Sequence, residues 1–219
     1  MNKAATVSER DDGYTQDLAS QWVADAVGAV AGERVLDLCA APGGKATRLA
    51  HTGATVVAAD LRPGRVGLIA DNARRVDVAD RVLALAADGA HPPFAPGTFD
   101  RILIDAPCSG LGALQRRADA RWRIQPDDVD TLATLQRALV DAAVPLLRPG
   151  GTLVYSVCTL TDAESVAVDE HLAATHPELL AADPPGAPWR PTGRGARLLP
   201  HDADTDGMYL LRLEAPRPT

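Results

Sequence analysis

Lysine is nearly missing from this chain: of 22 basic residues only Lys3 and Lys45 are lysines. Cysteine is scarce too, and Cys39, Cys108 and Cys158 are the full set. Three widely spaced cysteines, odd in number, form neither a disulfide framework nor a CxxC metal pattern, so no metal is expected and a reducing cytoplasm suits them. Long apolar runs are absent, as is a basic-then-apolar leader, so neither a membrane span nor a secretory signal is expected. No internal repeat is present. Positive charge is outweighed, with a net charge of −7. That balance argues against holding nucleic acid by bulk electrostatics, which takes clustered Lys and Arg.

What is present is enough for one sizeable core: 219 residues, 46% of them hydrophobic. Short apolar runs recur at Val35–Leu38, Thr55–Ala59, Val82–Ala86, Arg101–Ile104 and Thr152–Ser156, each ending at a small or acidic residue. Between them lie helical periods: Leu18, Trp22, Ala26 and Val30 on one face, then Val66, Ile69, Ala70 and Ala73, then Leu132, Leu135, Leu139 and Leu146. Thr161 to Glu164 reads as a capping box opening a further helix, while Pro145 and Gly150-Gly151 close the long one. Alternating strands and helices predict an α/β fold, a parallel sheet covered on both faces. "GMYLLRL", from Gly207 to Leu213, predicts a late antiparallel strand at the edge. Residues 1–13 read as a polar, mobile N-terminal segment and Asp183 to Gly195 as a loop.

The stretch "VLDLCAAPGGKATRLA", residues 35–50, places a small-residue loop and one lysine after the first strand. A P-loop needs G-x-x-x-x-G-K-[ST]; here Cys39 replaces the first glycine and Ala46 follows the lysine. A dinucleotide fingerprint needs G-x-G-x-x-G, which Ala41-Pro42-Gly43-Gly44 does not supply. Instead, Asp60, Asp88 and Asp105 close the second, third and fourth strands. Carboxylates around one crevice at the carboxyl ends of the strands repel a pyrophosphate but suit hydroxyls, an amino group and a positive sulfur. That describes S-adenosyl-L-methionine. In this reading Asp60 accepts from the ribose hydroxyls and Asp88 from the adenine amino group. The loop Cys39, Ala40, Ala41, Pro42, Gly43, Gly44 and Lys45 then holds the ligand's carboxylate on its amides. Each aspartate taken singly could equally cap a helix or a turn.

Cys39 reads as a small buried hydrophobe or a donor of backbone only. Cys108 and Cys158 follow strand ends beside polar or turn residues, in "DAPCSG" and "YSVCTL". "DLCAAPGGK", "DAPCSGLG" and "GGTLVYSVCTLTDAE", in this order, resemble the Sun-type (RsmB-like) RNA cytosine-5 methyltransferases. "QDLASQ" at Gln16 to Gln21 and the ending "LLPHDADTDGMYLLRL" are similar to further parts of that family, so the likeness runs from about Tyr14 onward.

The resemblance implies a class I S-adenosylmethionine-dependent methyltransferase (Rossmann-like) fold, with a seven-stranded mostly parallel sheet and an antiparallel edge strand, over residues 14–219. It implies methyl transfer to carbon 5 of a cytosine in RNA, ribosomal RNA first and transfer RNA second. Carbon 5 is a poor nucleophile until a thiolate adds to carbon 6. By resemblance Cys158 is that nucleophile and Cys108 assists product release. Pro107 shapes the turn presenting Cys108, and Asp105 holds the cytosine edge and stabilises developing charge. Lys45 either lowers a thiolate pKa or holds a substrate phosphate. DNA cytosine-5 methyltransferases use the Pro-Cys cysteine as nucleophile, which would assign that role to Cys108 instead.

Two departures stand out. Val157 precedes the nucleophile where the family often has Thr, and only 34 residues precede Val35, where RsmB-like proteins carry an RNA-binding portion. Arg116, Arg117, Arg121 and Arg123, with Trp122 to stack on a base, are the best remaining RNA contact. The alternative is a module that binds the cofactor but depends on a separate RNA-binding protein, or that does not catalyse at all.

Overall fold

The computed structural model describes residues 7–217. A two-stranded hairpin of β1 (Val7–Glu9) and β2 (Thr15–Asp17) leads into α1 (Leu18–Ala26). There follow β3 (Arg34–Asp37), α2 (Gly44–His51), β4 (Thr55–Asp60), α3 (Pro63–Arg75), β5 (Val82–Ala86), β6 (Phe99–Asp105), α4 (Ala120–Arg123) and α5 (Pro126–Ala143). The chain ends with β7 (Leu147–Val157), α6 (Val166–Thr175), β8 (Leu180–Ala181), β9 (Arg190–Thr192), β10 (Gly195–Leu198), α7 (Pro200–Ala203) and β11 (Met208–Glu214).

The main sheet runs β5-β4-β3-β6-β7-β11-β10-β9, with β8 paired to β11. β5 through β7 are parallel. β11 is antiparallel to β7 as predicted, but β10 and β9 pair beyond it, so it is internal rather than at the edge. Its alternation is weak for that reason: Met208 to Leu211 are all buried, because both faces of an internal strand are covered.

Alternate residues of each strand enter opposite cores. Val35, Val56 and Leu103 join Val23, Leu49 and Ile69 under α1, α2 and α3. Leu36, Ile102, Ile104 and Tyr155 join Leu139, Val140 and Leu172 under α5 and α6. Asp17 starts α1, its Oδ1 accepting from Ala19 N at 3.0 Å and Ser20 N at 3.3 Å, a helix-capping geometry. Pro126 begins α5, where a missing N–H costs nothing.

Two expected features differ. Residues 7–13 fold against the domain: Arg10 is buried, donating to Gly44 O at 2.7 Å and stacking over Tyr14. The first six residues of the predicted mobile segment lie outside the described residues. The capping box at Thr161 is also displaced. α6 begins at Val166, after Ser165, and Glu164 points inward to partners far away in sequence.

The sheet reverses its direction of progression at β3, with β4 on one side and β6 on the other. This switch point is where an open α/β sheet leaves a crevice beyond the strand ends. The β6–β7 register sets Asp105 opposite Ser156, so residues 106–112 and 157–161 leave the sheet side by side.

Candidate active site

A cavity of about 310 Å³ opens at the switch point. Its walls include Asp37, the loop Cys39–Pro42, Gly44, Lys45, Asp105, Arg117 and Cys158. The loop is shaped by glycine. Gly43 has φ +106°, where side chains are strained, and a Cβ there would meet Ile69 Cα at 3.1 Å. Asp60 braces the same loop through Oδ2, which accepts from Ala41 N at 3.3 Å, while Oδ1 accepts from Arg62 N at 3.1 Å in its own turn.

Cys108 and Cys158 meet with their sulfurs 3.4 Å apart. A hydrogen bond from the Cys108 thiol lowers the pKa of Cys158, against burial and the Asp105 charge, with Lys45 and Arg117 assisting. The same contact, with burial behind it, pushes Cys108 well up. These shifts favour ionisation at Cys158 over Cys108, and the thiolate is the nucleophilic form. Cys39 is held as a thiol by burial, with Asp37 adding to the effect.

Lys45 Nζ lies 2.6 Å from Asp105 Oδ2, and Asp105 Oδ1 accepts from Ser156 Oγ at 2.7 Å. Burial works against the ammonium, yet the Asp105 carboxylate raises its pKa above the ordinary lysine value. This pairing favours the first of the two roles open for Lys45. Its charge acts on Cys158 and is already committed to Asp105, leaving little for a phosphate.

Asp37 carries the clearest signal, and the sequence assigned it no role. It is buried at 1% exposure on the cavity wall, and neither carboxylate oxygen has a hydrogen-bond partner. Burial, then the Asp105 charge, pushes its carboxyl up to about 7. A buried carboxylate without a partner is costly. A ligand bringing an amino group and a positive centre satisfies it, and a pyrophosphate does not. The residues present thus fit S-adenosylmethionine. Tyr14, Gln16, Ser20 and Arg65 also line the cavity unforeseen.

Asp60 and Asp88 are not on the cavity wall. Asp60 accepts from one loop amide, Ala41 N, and from Arg62 N in its own turn. Asp88 is a turn residue at the sheet edge, accepting from Ala90 N at 2.9 Å, with His91 Nδ1 at 3.0 Å; the His91 contact lowers its pKa. A strand-end aspartate satisfied by its own turn has no need to reach inward.

Of the arginine cluster, Arg116 is paired with Asp206 and Arg123 is 3.7 Å from Asp119. Trp122 is 80% exposed on α4. Among the described residues there is no group of three or more His, Cys, Asp or Glu able to hold a metal, and no helix long and apolar enough to cross a membrane.

Comparison with known proteins agrees with this arrangement. A methyltransferase of Mycobacterium tuberculosis is 44% identical over 210 residues, 90% of this chain and 45% of its own length. The ribosomal RNA small subunit methyltransferase B of Vibrio cholerae is 36% identical over 199 residues, 89% of this chain and 44% of its own. The chain thus spans about half the length of these curated relatives. NSun6 from Pyrococcus horikoshii, solved with SFG, superposes with a TM-score of 0.81 at 25% identity, covering 100% of this chain and 57% of that one. The family model for the 16S rRNA methyltransferase RsmB/F matches residues 26–214. With that match over most of the chain, two thiols at adjacent strand ends and a cation-seeking carboxylate beside them, the chain belongs to the 16S rRNA methyltransferase RsmB/F family.

Proposed function

We propose that this chain transfers a methyl group from S-adenosylmethionine to carbon 5 of a cytosine in RNA, ribosomal RNA before transfer RNA, through a covalent adduct on Cys158. The observation that carries the reading is the thiol pair, 3.4 Å apart, with Cys158 on the cavity wall.

S-adenosylmethionine, when bound, supplies an electrophilic methyl group on a sulfonium. Asp37 would take its amino group. The loop from Cys39 to Lys45, with Asp60 bracing it, would hold the rest. The Cys158 thiolate adds to carbon 6 of an extruded cytosine and turns carbon 5 into a nucleophile. Asp105 retains lone pairs toward the cavity, so it can accept from the cytosine amino group while Lys45 neutralises it. With the methylated base still attached, Cys108 is placed to mediate removal of the carbon 5 proton. The sulfur–carbon 6 bond then breaks and the thiolate returns to Cys158.

Arg117 on the cavity wall and exposed Trp122 would supply a phosphate contact and a stacking surface for the strand flanking the target. Incubating the chain with radiolabelled S-adenosylmethionine and bacterial 16S ribosomal RNA, then digesting to nucleosides, tests the reading. Label in 5-methylcytidine is expected. Cofactor binding with no label in any RNA, with or without added cell extract, supports the non-catalytic module instead. Label that appears only with extract supports dependence on a separate RNA-binding protein.

A further inference from the structure

We propose that Glu164 is a positioning residue that ties the two cysteine loops into one unit and fixes how the thiols of Cys108 and Cys158 face each other. Its catalytic consequence rests on the covalent mechanism above; its structural content does not.

Glu164 is fully buried, at 0% exposure. Its Oε1 accepts from Ser109 N at 2.8 Å and from Gln136 Nε2 at 3.1 Å. Its Oε2 accepts from Ser109 Oγ at 2.6 Å and from Thr161 Oγ1 at 2.8 Å. All four donors are neutral groups. Ser109 follows Cys108 directly, and Thr161 lies in the loop just beyond Cys158. One carboxylate therefore spans two loops far apart in sequence, the Ser109 contact reaching across 55 residues.

The bonds around it close the unit. Gln136 Nε2 also donates to Pro107 O at 2.9 Å, so the residues on both sides of Cys108 are fixed. Ser109 Oγ and Thr159 Oγ1 are 2.9 Å apart, and Gly112 N donates to Cys158 O at 3.0 Å, which ties the backbone around the second thiol to the first loop. The Tyr155 hydroxyl donates to Glu164 O at 2.7 Å and anchors the carboxylate's own backbone to β7. A thiol–thiol contact is too weak to impose such order on two loops. Charge-assisted bonds from four donors to a buried carboxylate are strong enough. The 3.4 Å sulfur separation is set from behind by this network.

The network also accounts for why Thr161 and Glu164 do not cap α6. The hydroxyl and carboxylate that would satisfy the helix start are spent on holding the cysteine loops, and α6 begins later, at Val166.

The test uses the full chain with Glu164→Gln and, separately, Ser109→Ala, which removes a single small hydroxyl and is the safer variant for folding. Alkylation of Cys158 by iodoacetamide is followed across pH by peptide mass spectrometry, beside thermal melting and S-adenosylmethionine affinity. Folded Glu164→Gln is expected to move the alkylation midpoint up by about one pH unit, a tenfold slower reaction below it. Ser109→Ala is expected to move it in the same direction by less, with cofactor affinity unchanged in both. On RNA, kcat falls about tenfold while KM holds. An unshifted alkylation profile in whichever variant folds overturns the proposal. Because alkylation needs no RNA, shifted profiles with a wild-type chain inactive on RNA would remove the proposed function and leave the clamp standing. An active wild type with unshifted variants would do the reverse.

Discussion

Lys45 and Asp105 form a half-buried ion pair 2.6 Å long on the cavity wall, joining the first turn of α2 to the end of β6. The lysine neutralises the carboxylate that would otherwise oppose ionisation of Cys158, and its own charge favours the thiolate. Lys45→Met removes both effects at nearly constant volume. The expected result is a Cys158 alkylation midpoint moved upward, methyl transfer reduced at least tenfold, and a stability loss of about 2 kcal/mol, since Asp105 is partly open to water and its unpaired charge costs less than a fully buried one. Denaturant unfolding and alkylation kinetics check the two parts separately.

The proposed mechanism gives the two cysteines different roles. Cys158→Ala is expected to abolish transfer and to give no adduct. Cys108→Ala is expected to form an RNA–protein adduct that survives denaturing electrophoresis, because the first addition proceeds and the release fails. Trapping on Cys158→Ala with a dead Cys108→Ala would reverse the assignment and match the Pro-Cys nucleophile of the DNA enzymes.

Asp37 makes stability and cofactor affinity depend on pH in opposite senses. Its carboxyl is at about 7 in the folded chain against an ordinary 3.8, so between those values the native state holds the extra proton. Stability therefore falls as pH rises from about 4 to about 7, by a ceiling on the order of 4 kcal/mol, and stays low above that. Asp37→Asn is expected to remove this slope and to melt higher than wild type at pH 8. S-adenosylmethionine needs the ionised form, so its affinity is expected to weaken as pH drops below about 7 and to be at least tenfold lower in Asp37→Asn. Melting curves and calorimetry at pH 5, 6, 7 and 8 read both trends.

Trp122 is expected to serve RNA and nothing else. Trp122→Ala should leave melting and cofactor binding unchanged and weaken RNA binding by about tenfold, the loss of one stacked base. An equal affinity for RNA in a fluorescence anisotropy titration would assign the exposed ring no role in this substrate.

The sheet was legible because strands covered on both faces read as unbroken apolar runs: Thr55–Ala59, Arg101–Ile104 and Thr152–Ser156 fall within strands, and Val35–Leu38 runs one residue past β3. The thiol pair was legible through its two flanking motifs. Asp37 was passed over because an acid ending an apolar run looks like punctuation; only its lack of partners reveals it, and partners are not written locally. Glu164 misled for the related reason that its spacing from Thr161 imitates a helix cap, while its other partners lie 28 and 55 residues away. Asp88 shares the strand-end spacing, and in the structure its carboxylate meets Ala90 N and His91 in its own turn.

The pairing of Asp105 with Ser156 has a bearing on how this chain can diverge. Because the reactive sulfurs are measured out from that one rung, three residues along on one strand and two on the other, the intervals matter more than the letters. Losing a single residue between Thr152 and Ser156 would draw the second sulfur back by about 3.3 Å and turn the segment to the opposite side of the sheet. Apolar side chains on the neighbouring rungs can be exchanged for others of like size, whereas an insertion or deletion there would part the two sulfurs.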